Sequence, residues 1–169
     1  MLIYNQAFDA KHCIYRFLST LETAKWNSVL WDVFRMLDLY RLYPKLLLEI
    51  KPFPQGIINI KRETLKLRNQ YYTPQDPRKT LFQIKPIHNV VANYLVAKGF
   101  ISKSQFEVGR IERTNLEMPK ELKGIFENDI LIDQNWLNML INDFPQSKFI
   151  GQNGIKKRTG YMEYRYDPK

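Results

Sequence analysis

The stretch "FDAKHCIYRFL" sets His12 and Arg16 four residues apart. That spacing puts both side chains on one helix face, as a pair gripping a phosphate or an acidic group would be, although a surface or capping histidine gives the same pattern. Cys13 and His88 are the sole cysteine and the only other histidine. With no CxxC partner they do not make a zinc site of the usual composition, and no metal ligand set or cofactor site is read from the chain. A Cys-His nucleophile from Cys13 with His12 or His88 is also unsupported. Neighbouring residues on a helix diverge, and Cys13 falls beside an apolar stripe, where a free thiol acts as a small hydrophobe. Glu49, Ile50 and Lys51 look like the E-x-K half of a metal-dependent nuclease site, but that chemistry needs a strand and a second acid, and "PKLLLEI" reads as a helical run opened by Pro44. "GQNGIKKRTG" misses the phosphate-loop pattern because Ile155 follows Gly154. The reading is therefore of a chain with no catalytic residues.

Binding chemistry is better represented. The net charge is +9, and residues 51–117 hold most of it, with twelve basic residues against five acidic ones; the tail from 147 onward adds six against two. Lys61, Arg62, Lys66 and Arg68 lie in the first block and Lys156, Lys157 and Arg158 in the second, the latter beside Tyr161, Tyr164 and Tyr166. Clustered cations with flat aromatic neighbours suit a nucleic-acid backbone, with an acidic protein or a solvated face as the other readings. These seven basic residues are the candidate contacts to double-stranded DNA.

The elements that must position these groups are mostly helices. Asp9 is placed as N-cap of a first helix whose Ile14, Phe17, Leu18 and Leu21 recur at three- and four-residue spacing. A second helix is expected from Asn27 or Ser28 to about Leu42, with Asp32, Arg35, Asp38 and Arg41 three apart and alternating in sign. Trp26, Trp31, Phe34, Tyr40 and Tyr43 crowd too many aromatics around it for one stripe to cover, so this helix is either central in the core or presents a face to a partner. Trp31, Arg35, Asp38, Tyr40, Arg41 and Tyr43 are the candidate partner-binding residues. Further on, "IINIKRETLKLRNQ" reads as a strand running into a basic helix, and Pro86 as the start of a helix carrying Ile87, Val90, Val91, Tyr94 and Leu95 on one face and ending at Gly99. "SQFEVGRIERT" suggests short strands; Pro119 opens a helix, Asp133 caps another, and the tail ends in an alternating aromatic strand.

The expected fold is α+β and mostly helical: a helical partner-binding lobe over 1–50, then a basic winged-helix-like lobe with short antiparallel strands over 51–169, which together can be one continuous domain. No apolar run approaches the roughly 20 residues that span a bilayer, so no membrane partner is expected. The start "MLIYNQAFD" lacks the features of a secretory signal, which reads as cytoplasmic.

Three blocks resemble a known family. "FDAKHCIYRFL", "FRMLDLYRLYP" and "GQNGIKKRTGYMEYRYD" are similar to the middle component of bacterial ABC-three-component defence systems, the class that includes Lamassu. The resemblance runs from the first helix to the tail. It implies a non-catalytic adaptor between an SMC-like ABC ATPase and an effector, commonly a nuclease, in defence against phage or plasmid DNA. The alternative is a stand-alone winged-helix DNA-binding regulator acting as a two-fold dimer.

Overall fold

The computed structural model describes residues 5–68 and 72–168. The end of the basic segment at 69–70 and the first tyrosine of "YYTPQDP" lie outside them. Helix α1 (Ala10–Thr23) starts where Asp9 accepts the Lys11 and His12 amides at 2.8 and 3.2 Å. This satisfies two donors that a helix start otherwise leaves orphaned. Strand β1 (Ser28–Leu30) leads straight into α2 (Trp31–Leu42), a three-residue delay on the expected helix start. The delay has a tertiary cause. Ser28–Leu30 pair antiparallel with β2 (Arg110–Glu112), Val29 opposite Ile111, and the Trp31 amide bonds the Gly109 carbonyl at 2.8 Å in place of a side-chain cap.

Pro44 stops α2 and opens a 3-10 turn over Pro44–Glu49, because its ring disfavours helix at Tyr43 and presets its own φ. The segment expected to begin as a strand is instead a 3-10 turn followed by α3 (Ile58–Lys66). Helix α4 (Pro77–Ala97) begins nine residues before Pro86, where Asp76 accepts the Lys79 amide at 2.9 Å. Pro86 lies inside it, on the exposed side, where water can take the carbonyl that its missing N–H leaves unbonded. The far end has the expected form: Gly99 at φ +83, with Gly99 and Phe100 amides returning to Val96 and Leu95. That is a Schellman turn, which a Cβ at this φ would strain.

The segment expected as strands is a short helix, α5 (Lys103–Glu107), then Gly109 and β2. Helices α6 (Lys120–Glu127) and α7 (Gln134–Asp143) follow their Pro119 and Asp133 starts, Asp133 accepting the Trp136 amide. The expected tail strand is a correction: residues 155–159 form α8 (Ile155–Thr159), and the tyrosines after it lie in irregular chain, bends and turns. Alternation marks a strand only where a ladder partner is available. Here Gly154 presses so close to the chain before it that a Cβ would sit 2.4 Å from the Phe149 carbonyl oxygen.

The described residues are thus mostly helical with one two-stranded antiparallel sheet. Strand β2 pairs with β1, some eighty residues earlier, and the chain just after it makes a local antiparallel bridge between Arg113 and Ile101. Buried side chains from both halves of the chain form one core. Phe17, Phe34, Tyr40 and Met36 meet Leu81, Ile84, Val91, Trp136, Leu140 and Phe144 in it.

Candidate partner-binding surface

The α2 residues nominated for a partner face inward. Arg35, Asp38, Tyr40, Arg41 and Tyr43 are buried, and Trp31 is half-buried in an aromatic cluster with Phe17, Phe34, His88 and Phe106. The expectation of an exposed α2 face is corrected accordingly. Helices α4 and α7 and the 3-10 turn after Pro44 pack on α2, and α1 meets it through Arg16, Phe17 and Ser19. This enclosure is why its aromatics exceed a single stripe.

Three of the four alternating charges of α2, Arg35, Asp38 and Arg41, are therefore interior groups. Asp38 accepts two bonds from the Arg16 guanidinium, at 2.7 and 3.0 Å, and lies 2.9 Å from His88 Nε2. Burial alone would raise the Asp38 carboxyl, but Arg16 and His88 outweigh it and hold it well below the usual carboxylate range. Arg41 donates to the Arg16 carbonyl and to Ser19, locking α2 to α1. Of the four charges, only Arg35 keeps its helical neighbour, Asp32, at 3.6 Å.

Cys13 completes this centre: its sulfur, an Asp38 oxygen and a His88 nitrogen lie within 4.8 Å of one another, all buried. The fold thus joins the cysteine and histidine that the sequence reading kept apart. The arrangement suits a structural network better than chemistry. Burial pushes the Cys13 thiol up, away from the thiolate a nucleophile needs. Both Asp38 oxygens are already occupied, one jointly by Arg16 and His88, and a cation there would confront the guanidinium. Glu49, of the E-x-K triplet, sits at the end of a 3-10 turn and accepts the Tyr161 hydroxyl at 2.7 Å.

The basic candidates separate. Arg62, Lys66 and Arg68 are exposed on and just after α3, Lys66 paired with Glu63, and Lys61 is half-buried over the Phe53 ring. In the tail, Lys156 is buried between Asp32 and Asp167 at 3.1 and 3.3 Å, and Arg158 bonds the Asn153 and Pro52 carbonyls. Lys157 alone of the triplet is exposed.

The surface that sequence reasoning missed is on α4. Phe82, Pro86, Val90 and Tyr94 recur every fourth residue and are all exposed, Phe82 at 75% and Val90 at 65%. This stripe is distinct from the one α4 buries, which runs through Leu81, Ile84, His88, Val91 and Leu95. Val90 and Tyr94 were expected on the buried face. The true helix start carries the missing signal: Asp76 before Pro77 is an N-cap followed by a proline at the first helical position. Starting there brings Phe82 into register with Val90 and Tyr94. Within α4 every charged residue is basic, Arg78, Lys79 and Lys85, and all three are exposed.

No helix of the described chain is long and apolar enough to cross a membrane. No curated protein and no solved structure matches the chain. A family model, "ABC-three component (ABC-3C) system Middle Component 5", matches residues 2–167, nearly the whole sequence. With that match spanning almost all of the sequence, this chain belongs to the Middle Component 5 family of ABC-three-component systems.

Proposed function

We propose that the protein is a non-catalytic adaptor of a Lamassu-type defence complex, joining an SMC-like ABC ATPase to an effector, commonly a nuclease. Its main docking element is α4. The observation that carries this reading is the α4 stripe, in a chain whose family is one component of three. Four apolar side chains at four-residue spacing match the seam by which one helix packs along another. The all-basic flank favours as occupant an amphipathic helix with acidic edges, which we assign to the ATPase subunit. DNA contact, if this subunit makes it, falls to Arg62, Lys66 and Arg68 near α3.

The test is co-expression with the ATPase subunit of the same system, followed by size-exclusion chromatography. Phe82→Glu with Val90→Glu should abolish co-elution, while the isolated chain melts cooperatively at a nearly unchanged temperature, because exposed substitutions cost within about 0.5 kcal/mol. Undiminished co-elution of the double variant would remove α4 as the docking face. Plasmid cleavage by the isolated chain with Mg²⁺ would overturn the adaptor role.

A further inference from the structure

A cleft of about 640 Å³ opens between α1, the end of α2 and the α6–α7 connection. Lys11, Tyr15, Arg16 and Arg41 line it together with Asp129 and Leu131. Its charge does not balance. Arg16, Arg41 and Lys11 face two carboxylates, Asp38 behind Arg16 and Asp129 across the cleft. Both are committed: Asp38 to Arg16 and His88, Asp129 to the Tyr15 hydroxyl at 2.6 Å and the Leu131 amide. Arg41 is 8% exposed, forms no ion pair among the described residues, and leaves its Nη2 without a hydrogen-bond partner. A buried guanidinium lacking a counter-charge is costly, and an incoming anion relieves that cost. The rim is apolar and open to solvent, with Ile125 at 54% and Leu131 at 79% exposure.

We propose that this cleft is a second binding site, which receives a single carboxylate side chain flanked by apolar residues from an acidic segment of another protein chain. One surplus positive charge matches one carboxylate. The isoleucine and leucine rim matches the apolar neighbours of that carboxylate, which a free inorganic anion would lack. The site shares no residue with the α4 stripe, so each stands or falls without the other.

The probes are a short acetylated peptide amide with one glutamate among leucines and the same peptide with glutamine in its place. Titration is followed by the backbone amide shifts of Lys11, Tyr15 and Leu131. The glutamate peptide should shift all three and bind at least tenfold more tightly than the glutamine peptide, with the advantage shrinking as salt is raised. Arg41→Gln, checked for cooperative melting, should abolish that preference. Because Arg41 also ties α2 to α1, Leu131→Ser provides a variant at an exposed position; it should weaken both peptides alike. The proposal is overturned by equal binding of the two peptides, by no shift with either at millimolar concentration, by a preference that survives in folded Arg41→Gln, or by wild-type affinity in Leu131→Ser. Inorganic phosphate shifting the same amides as strongly as the glutamate peptide would also overturn it, marking a site for free anions.

Discussion

Replacing Asp38 by Asn removes a charge while keeping the shape. In the native chain the carboxylate holds Arg16 through bonds of 2.7 and 3.0 Å, and the two side chains are 7% and 3% exposed. Asparagine can accept one of those bonds but leaves a buried guanidinium without its anion. Breaking a buried pair from one side costs about 3–5 kcal/mol, a large share of a domain's total of about 5–15. The acid side has a definite sign. The folded-state carboxyl is held below its ordinary value, so its contribution is complete above the unfolded aspartate value of about 3.9 and is lost as pH falls below it, at up to about 1.4 kcal/mol per pH unit. Urea unfolding followed by tryptophan fluorescence should therefore show two effects: an unfolding free energy for Asp38→Asn several kcal/mol lower at pH 7, and a shallower acid decline than wild type. Arg16→Met should cost a similar amount, and the double variant much less than the sum, with a coupling of about 2 kcal/mol or more. A loss under about 1 kcal/mol, or additive single changes, would refute the claim that this pair anchors α1 to α2.

Two further outcomes follow from particular bonds. Thr64→Val deprives the Trp136 indole N–H of its acceptor at 2.9 Å inside the α3–α7 contact, so thermal melts should show a loss of about 1–3 kcal/mol, while Trp136→Phe on that background should cost little more in hydrogen bonding. In the tail, Lys157→Ala should shallow the salt dependence of any duplex binding by at most about one unit in log–log slope. Lys156→Ala should lower stability with no change in slope, because its charge is held by Asp32 and Asp167; a slope change with Lys156 as large as with Lys157 would contradict the buried placement.

Local chemistry made several features legible in advance. The Asp9 and Asp133 caps, the stop at Pro44 and the Gly99 turn all depend on backbone groups within a few residues, so the chain states them wherever it folds. The mostly helical α+β class and the family likeness were readable for similar reasons, the first from periodicity and the second from blocks spread along the chain. What the sequence could not decide was direction. The i, i+3 pattern of Asp32, Arg35, Asp38 and Arg41 is the same whether α2 lies on the surface or is surrounded. Only the arrival of Arg16 from α1 and His88 from α4 made Asp38 and Arg41 core residues. Likewise Ser28–Leu30 became a strand because β2 came back to meet it, and the tail tyrosines did not because no strand among the described residues pairs with them. On α4 two apolar stripes of similar composition run along one helix, and hydrophobicity alone ranks neither as inner. Packing against α1 and α2 took Leu81, Ile84, Val91 and Leu95, which left Phe82, Val90 and Tyr94 exposed. Burial is a property of the surroundings rather than of the residue, and the surroundings are assembled only when distant segments meet.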